Sequence, residues 1–123
     1  MEIICEYSLQ PLPIAQMFRR LGEHIHETAV SKGWYDKNNG ERNDFEMIAL
    51  EHAELSEVVE ALRKGNPPSE KTPQFSLAEE ECADVIIRML DRAHKNNYNL
   101  GGAILAKMEY NKSRPYRHGN KLA

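Results

Sequence analysis

A chain of 123 residues, 41% hydrophobic and 28% charged, is long enough for one globular domain and too apolar to be disordered. Its net charge of −3 and pI near 6.0 argue against a general nucleic-acid coat protein. Cys5 and Cys82 show no paired metal spacing, and no run approaches the roughly 18 apolar residues of a membrane span.

The start, MEIICEYSL, lacks the basic end and long apolar stretch of a signal peptide, and sparse cysteine fits a reducing compartment. A soluble, cytoplasmic protein is the expectation. Residues 1–13 read as an irregular lead-in ending in Pro11 and Pro13. From about 14 to 32, Ile14, Met17, Phe18, Leu21 and Ile25 follow helical spacing, and Gly33 supplies a stop. A turn-rich loop carrying Trp34 and Tyr35 comes next. Asn43 or Asp44 can cap a second helix running to about residue 64, with Gly65 after it. Along it Phe45, Ile48, His52, Leu55, Val59 and Leu62 step by three and four, the pattern of a core stripe. Glu51 and Glu54 fall at the edge of that stripe, whereas Glu57 and Glu60 are carried round toward solvent.

Pro67, Pro68 and Pro73 keep the next segment from being helical throughout. Ser76-x-x-Glu79 is a capping box that opens a third helix to about residue 96. Its apolar residues spread round most of the circumference, which predicts burial on several sides. Asn96 to Asn99 form a turn, and a fourth helix spans about 100–112 with Ile104, Leu105 and Met108 as its apolar face. Gly101-Gly102 lacks the strand and spacing of a phosphate loop and reads as a loosened helix start. Arg114-Pro115 ends the pattern, leaving 113–123 as a basic tail. The expected architecture is all-α, one domain, a four-helix bundle-like protomer that oligomerisation would help to stabilise.

Two acidic pairs carry the chemistry: Glu51-x-x-Glu54 on the second helix and Glu81-x-x-Asp84 on the third. A step of three puts both carboxylates of a pair on nearly one helix face. If the helices are antiparallel neighbours, four carboxylates converge, and such a site needs cations to neutralise it. Hard divalent ions with oxygen ligands, Mg²⁺ above all, meet that need. One acidic pair alone would read as a solvated helix face. Two pairs, one beside a core stripe and one on a buried-looking helix, favour a metal cluster able to bind phosphate oxygens and activate water. Lys107, Arg114, Arg117 and Lys121 can then hold a polyphosphate, or else form a salt-screened tail.

Glu51-x-x-Glu54, 26 residues, then Glu81-x-x-Asp84 resembles the E-x-x-E…E-x-x-D motif of the MazG-like nucleoside triphosphate pyrophosphohydrolases. The flanks ALEHAELSEVVEALRKG and EEECADVIIRMLDRA are similar to that family's second and third helices. Lys107-x-x-x-Asn111-x-x-Arg114-Pro115, followed by His118-Gly119-Asn120-Lys121, resembles its C-terminal phosphate-handling segment. The resemblance runs from about residue 14 to 121. It implies an all-α dimeric or tetrameric enzyme that converts an NTP or dNTP to the monophosphate and pyrophosphate. It further implies Glu51, Glu54, Glu81 and Asp84 as Mg²⁺ ligands, with Mn²⁺ substituting, or one of them, Glu54 or Glu51, orienting the attacking water instead. Lys107 and Arg114 would contact phosphates, Asn111 the sugar or phosphate, with Arg117 and Lys121 beside them. The long 65–75 loop departs from more compact members and reads as a lid or an oligomer contact.

Trp34, with Tyr35, can stack a nucleobase or plug the end of the bundle. His24, His26, His52 and His94 lack zinc-ligand spacing, and His52, in the stripe, reads as a packed core histidine. Asp91-x-x-His94 is one imperfect half of a di-iron motif that requires two Glu-x-x-His copies. A non-catalytic helical interaction module, an all-α dUTPase and a phosphoribosyl-ATP pyrophosphohydrolase are the competing readings. Base and sugar preference lie in pocket shape, which the motif does not encode.

Overall fold

The fold rests on helix ends that the local sequence fixes. The computed structural model describes residues 13–123; the lead-in up to residue 12, with Cys5, lies outside them. Four helices make up the body: α1 (Ile14–Ser31), α2 (Asp44–Arg63), α3 (Leu77–Lys95) and α4 (Leu100–Ser113). A single helical turn, α5 (Arg117–Asn120), comes after them. Among the described residues there is no strand, only an isolated bridge between Pro68 and Ser76. The protein is all-α, and no helix among the described residues is long and apolar enough to cross a membrane.

Asn43 is the α2 cap, its side-chain oxygen accepting the N–H groups of Phe45 at 2.8 Å and Glu46 at 3.2 Å. Ser76 and Glu79 form the reciprocal capping box of α3. The Glu79 carboxyl is held below its ordinary range by the backbone N–H of Ser76. Helices α1 and α2 end in left-handed glycines, Gly33 and Gly65, and α3 ends in left-handed Asn97. In each the next N–H reaches back across the last turn: Trp34 to Ala29, Asn66 to Ala61 and Tyr98 to Ala93.

Helix α3 is central. It runs antiparallel to both α2 and α1, and α4 packs on α1, so the principal contacts order the helices α2, α3, α1, α4. The expected all-α architecture is present, with its helices packed in this order. The α1–α4 crossing is set by Gly101, where a Cβ would stand 2.7 Å from the Cα of Ala15 and 3.1 Å from the Cβ of Phe18. Gly101 therefore permits a close backbone approach rather than loosening a helix start. Of the expected apolar face of α4, Ile104 is half-buried whereas Leu105 and Met108 are exposed.

The main correction concerns α2. Most of its apolar stripe does not face the interior of the chain: Ile48 is half-buried, but Phe45 is 82% exposed, Leu55, Val59 and Leu62 are each more than half exposed, and His52 is also exposed. The residues turned toward α3 are Met47, Glu51, Glu54, Val58 and Ala61, a second set at helical spacing. The cause is charge pairing. Asp44 accepts from Lys95 Nζ at 2.7 Å, Glu51 from Arg92 at 2.6 and 3.0 Å, and Glu54 from Arg88 Nε at 2.8 Å. These three rungs, in antiparallel register, turn the acidic edge of α2 inward. Asn96 joins the first rung, and the amide and Lys95 together hold the Asp44 carboxyl below its ordinary range. Helix α3 is likewise less enclosed than expected, with Leu90, Asp91 and Ala93 buried but Ile86 and Ile87 exposed.

Candidate metal centre

Helix α2 supplies Glu54, and α3 supplies Glu81 and Asp84 from consecutive turns of one face. One carboxylate oxygen from each lies within 4.8 Å of the others, and all three side chains are half-buried. The antiparallel ladder makes this convergence. It fixes Glu54 through Arg88, which stands one turn beyond Asp84 on α3.

Negative charge in the cluster is only partly compensated. The Glu81 carboxyl is pushed up by burial first, then by repulsion from Asp84 and Glu54. Asp84 is also pushed up, by burial and then by Glu54 and Glu80, against opposing pulls from Lys71 and Arg88. Three hard oxygen donors, partly open to solvent and repelling one another, fit a hard divalent cation and are poorly suited to a soft one.

Glu51 does not join this cluster. Its carboxylate is buried and both oxygens accept from Arg92, so the structure brings together three of the four expected acids. One turn of α2 separates Glu51 from Glu54, and the two face different arginines.

Beside the cluster lies a cavity of about 380 Å³. Glu54, Asp84 and Arg88 form one wall, and Lys32, Trp34, Arg42 and Lys71 contribute to the rest. Four cations thus share a cavity with the carboxylates. Trp34 is 63% exposed and presents its indole at this cavity.

Its loop is held by Asp91, a buried carboxylate on α3. The Tyr35 hydroxyl donates to Asp91 Oδ1 at 2.9 Å, His26 Nδ1 lies 2.8 Å from the same oxygen, and Arg42 Nη1 lies 3.6 Å from Oδ2. Burial, followed by the bond to Asp91, pushes the Tyr35 hydroxyl well above its ordinary range, so it remains a donor. The Arg42 guanidinium sits 5.4 Å from the centre of the Tyr35 ring and 5.9 Å from that of Trp34. Asp91 therefore anchors a loop, and His94 is exposed.

The C-terminal cations stand elsewhere. Lys107, Asn111, Arg114, Arg117 and Lys121 belong to α4 and the tail beyond it, and none lines this cavity. Lys107 Nζ lies 4.7 Å from the Tyr110 ring centre, Arg114 lies 5.7 Å from the same ring, and Arg117 donates to the Leu122 carbonyl at 2.6 Å. Lys32, Arg42 and Lys71 had no motif to reveal them. The Pro-rich composition around Lys71 and the aromatic pair beside Arg42 were the available signals.

The chain matches no family model, no curated protein and no solved structure.

Proposed function

We propose that the protein is a Mg²⁺-dependent pyrophosphohydrolase that cleaves a nucleoside or deoxynucleoside triphosphate to the monophosphate and pyrophosphate, in the manner of the MazG-like enzymes it resembles in sequence. The supporting observation is the meeting of Glu54, Glu81 and Asp84 beside a cavity that Glu54 and Asp84 line together with four cations and an exposed indole. In this reading the three carboxylates hold the metal, for which Mn²⁺ substitutes. The bound ion supplies Lewis-acid polarisation of phosphate oxygens and a water of lowered pKa.

Glu54, already aligned by Arg88, is placed to accept a proton from a water at the cavity wall. Glu51 acts as a further ligand only by exchanging Arg92 for the ion. The face of Trp34 stacks the base, and Arg42, secured by Asp91, closes that side. Substrate anchoring by Lys107, Asn111, Arg114, Arg117 and Lys121 then comes from a second copy of the chain.

Pyrophosphate release from a panel of canonical NTPs and dNTPs tests the reading. Turnover is expected with Mg²⁺ and absent in EDTA, and Glu54→Gln should lower it by about 100-fold or more with unchanged helix content. Equal rates in EDTA, or a fully active Glu54→Gln, rule the proposal out.

The exposed row Leu55, Val59 and Leu62 favours a homo-oligomer, because soluble monomers seldom display such a continuous apolar stripe. Light scattering at micromolar concentration is expected to give a dimer or larger species, and Val59→Glu a monomer. A monomeric wild type refutes this part. The same stripe would serve a non-catalytic interaction module. Calorimetry separates that alternative, since a purely partner-facing acidic surface binds no Mg²⁺.

A further inference from the structure

Lys71 is a cation of this cavity that no helix carries. It sits in the 65–76 connection between α2 and α3, which is strapped down despite its three prolines. Ser69, 2% exposed, is the pin. Its hydroxyl donates to Glu80 Oε2 at 2.6 Å and accepts the N–H groups of Lys71 at 3.2 Å and Thr72 at 3.1 Å. The Ser69 N–H reaches the Phe75 carbonyl at 2.9 Å, and Leu77 N–H reaches the Pro67 carbonyl at 2.7 Å. At the entry, Asn66 Oδ1 accepts the N–H of Ala78 at 2.8 Å. The sequence suggests a lid or an oligomer contact here. The bonding describes a fixed shelf.

The Lys71 backbone is fixed while its side chain is held only by one exposed ion pair. That side chain is 84% exposed, and its ammonium lies 3.7 Å from Glu80 Oε1. A pair so exposed is weak and easily exchanged. Lys71 also lines the cavity together with Glu54 and Asp84. A rigid base, an exposed and weakly paired ammonium and a neighbouring acid cluster are what a point-charge phosphate ligand requires.

We propose that Lys71, delivered by the Ser69-pinned strap, is the residue of this chain that grips the substrate's phosphate oxygens at the metal-proximal end of the cavity. The proposal rests on the pyrophosphohydrolase reading. Binding the phosphates costs Lys71 only its loose contact to Glu80, which keeps its bond from Ser69.

Two readouts keep the two ideas apart. Calorimetry of inorganic triphosphate with Mg²⁺ measures phosphate binding without turnover, and steady-state kinetics measures turnover. Lys71→Ala is expected to weaken triphosphate binding and raise KM by about tenfold, the scale of one charge-assisted contact. Mg²⁺ affinity without triphosphate should not fall, because Lys71→Ala removes a cation beside Asp84, and Lys71→Arg should regain most of the loss. Triphosphate affinity within about twofold of wild type in Lys71→Ala overturns the proposal. A wild type that releases no pyrophosphate, yet loses triphosphate affinity on Lys71→Ala, sinks the hydrolase reading and leaves the phosphate grip standing.

Discussion

Replacing Arg92 by alanine is expected to cost about 3–5 kcal/mol of folding stability, the scale for removing one partner of a buried ion pair. The Glu51 side chain is only 8% exposed and that of Arg92 17%, with both carboxylate oxygens engaged at 2.6 and 3.0 Å. The bond to Glu51 is also the leading cause that pushes the Arg92 guanidinium above its ordinary range. Without that group, a carboxylate is left between α2 and α3 without its one ion-pair partner among the described residues. It must stay buried and charged or take up a proton, and both are unfavourable. Since a domain of this size has roughly 5–15 kcal/mol in total, the variant should be marginal at room temperature.

Urea denaturation provides the check, through a lowered midpoint at unchanged slope. The double substitution Glu51→Leu with Arg92→Met should recover most of the loss, because an apolar pair of similar volume removes the desolvation cost along with the attraction. A loss below about 1 kcal/mol in Arg92→Ala would mean that the pair behaves as a surface bridge. Glu51 consequently commits both its oxygens to its structural pair, whereas Glu54 is both a rung of the ladder and a member of the acid cluster. Loss of activity in Glu51→Gln accompanied by lower stability would reflect the pairing with Arg92 as much as any ligand role.

The sequence made the helix ends legible because they depend on neighbours in the chain. Asn43, the Ser76–Glu79 box, Gly33 and Gly65 each act within a few residues of themselves. The step of three between Glu81 and Asp84 was equally local, and those two acids do meet Glu54. What periodicity could not decide was which face of α2 turns inward. The stripe from Phe45 to Leu62 has the spacing of a core face, yet Arg88, Arg92 and Lys95 draw the acidic edge onto α3 instead. That choice depends on a register between two helices, information absent from either alone. The cavity escaped for the same reason. Asp91 holds His26 from 65 positions away and Tyr35 from 56, and no spacing rule links them. Gly101 resembled a weak helix start because its partner, Ala15, lies on the first helix.

Neutralising the acid cluster should separate stability from activity. Asp84→Asn is expected to make the metal-free protein more stable, by about 0.5–1 kcal/mol, as repulsion with Glu54 and Glu80 and the burial of charge are relieved. Carboxyls raised in the folded state bind protons more tightly there than in the unfolded chain. Their stabilising contribution is therefore complete below the ordinary carboxylate pKa and is lost as pH rises through the folded values of Glu81 and Asp84. Over that window these two groups oppose the usual gain of stability with pH. Mg²⁺ should reverse the penalty in the wild type, adding about 2.7 kcal/mol at a hundredfold excess over its Kd. Asp84→Asn should gain little from Mg²⁺ and turn over nucleotide at least about 100-fold more slowly. Thermal melts of both proteins, with and without Mg²⁺, measure all the stability changes together. An Asp84→Asn variant that melts lower than wild type without metal, or is stabilised equally by Mg²⁺, would show that the cluster is neither strained by its own charge nor built to hold an ion. The predicted inversion, a more stable protein that no longer works, is what a site held in electrostatic tension for function should produce.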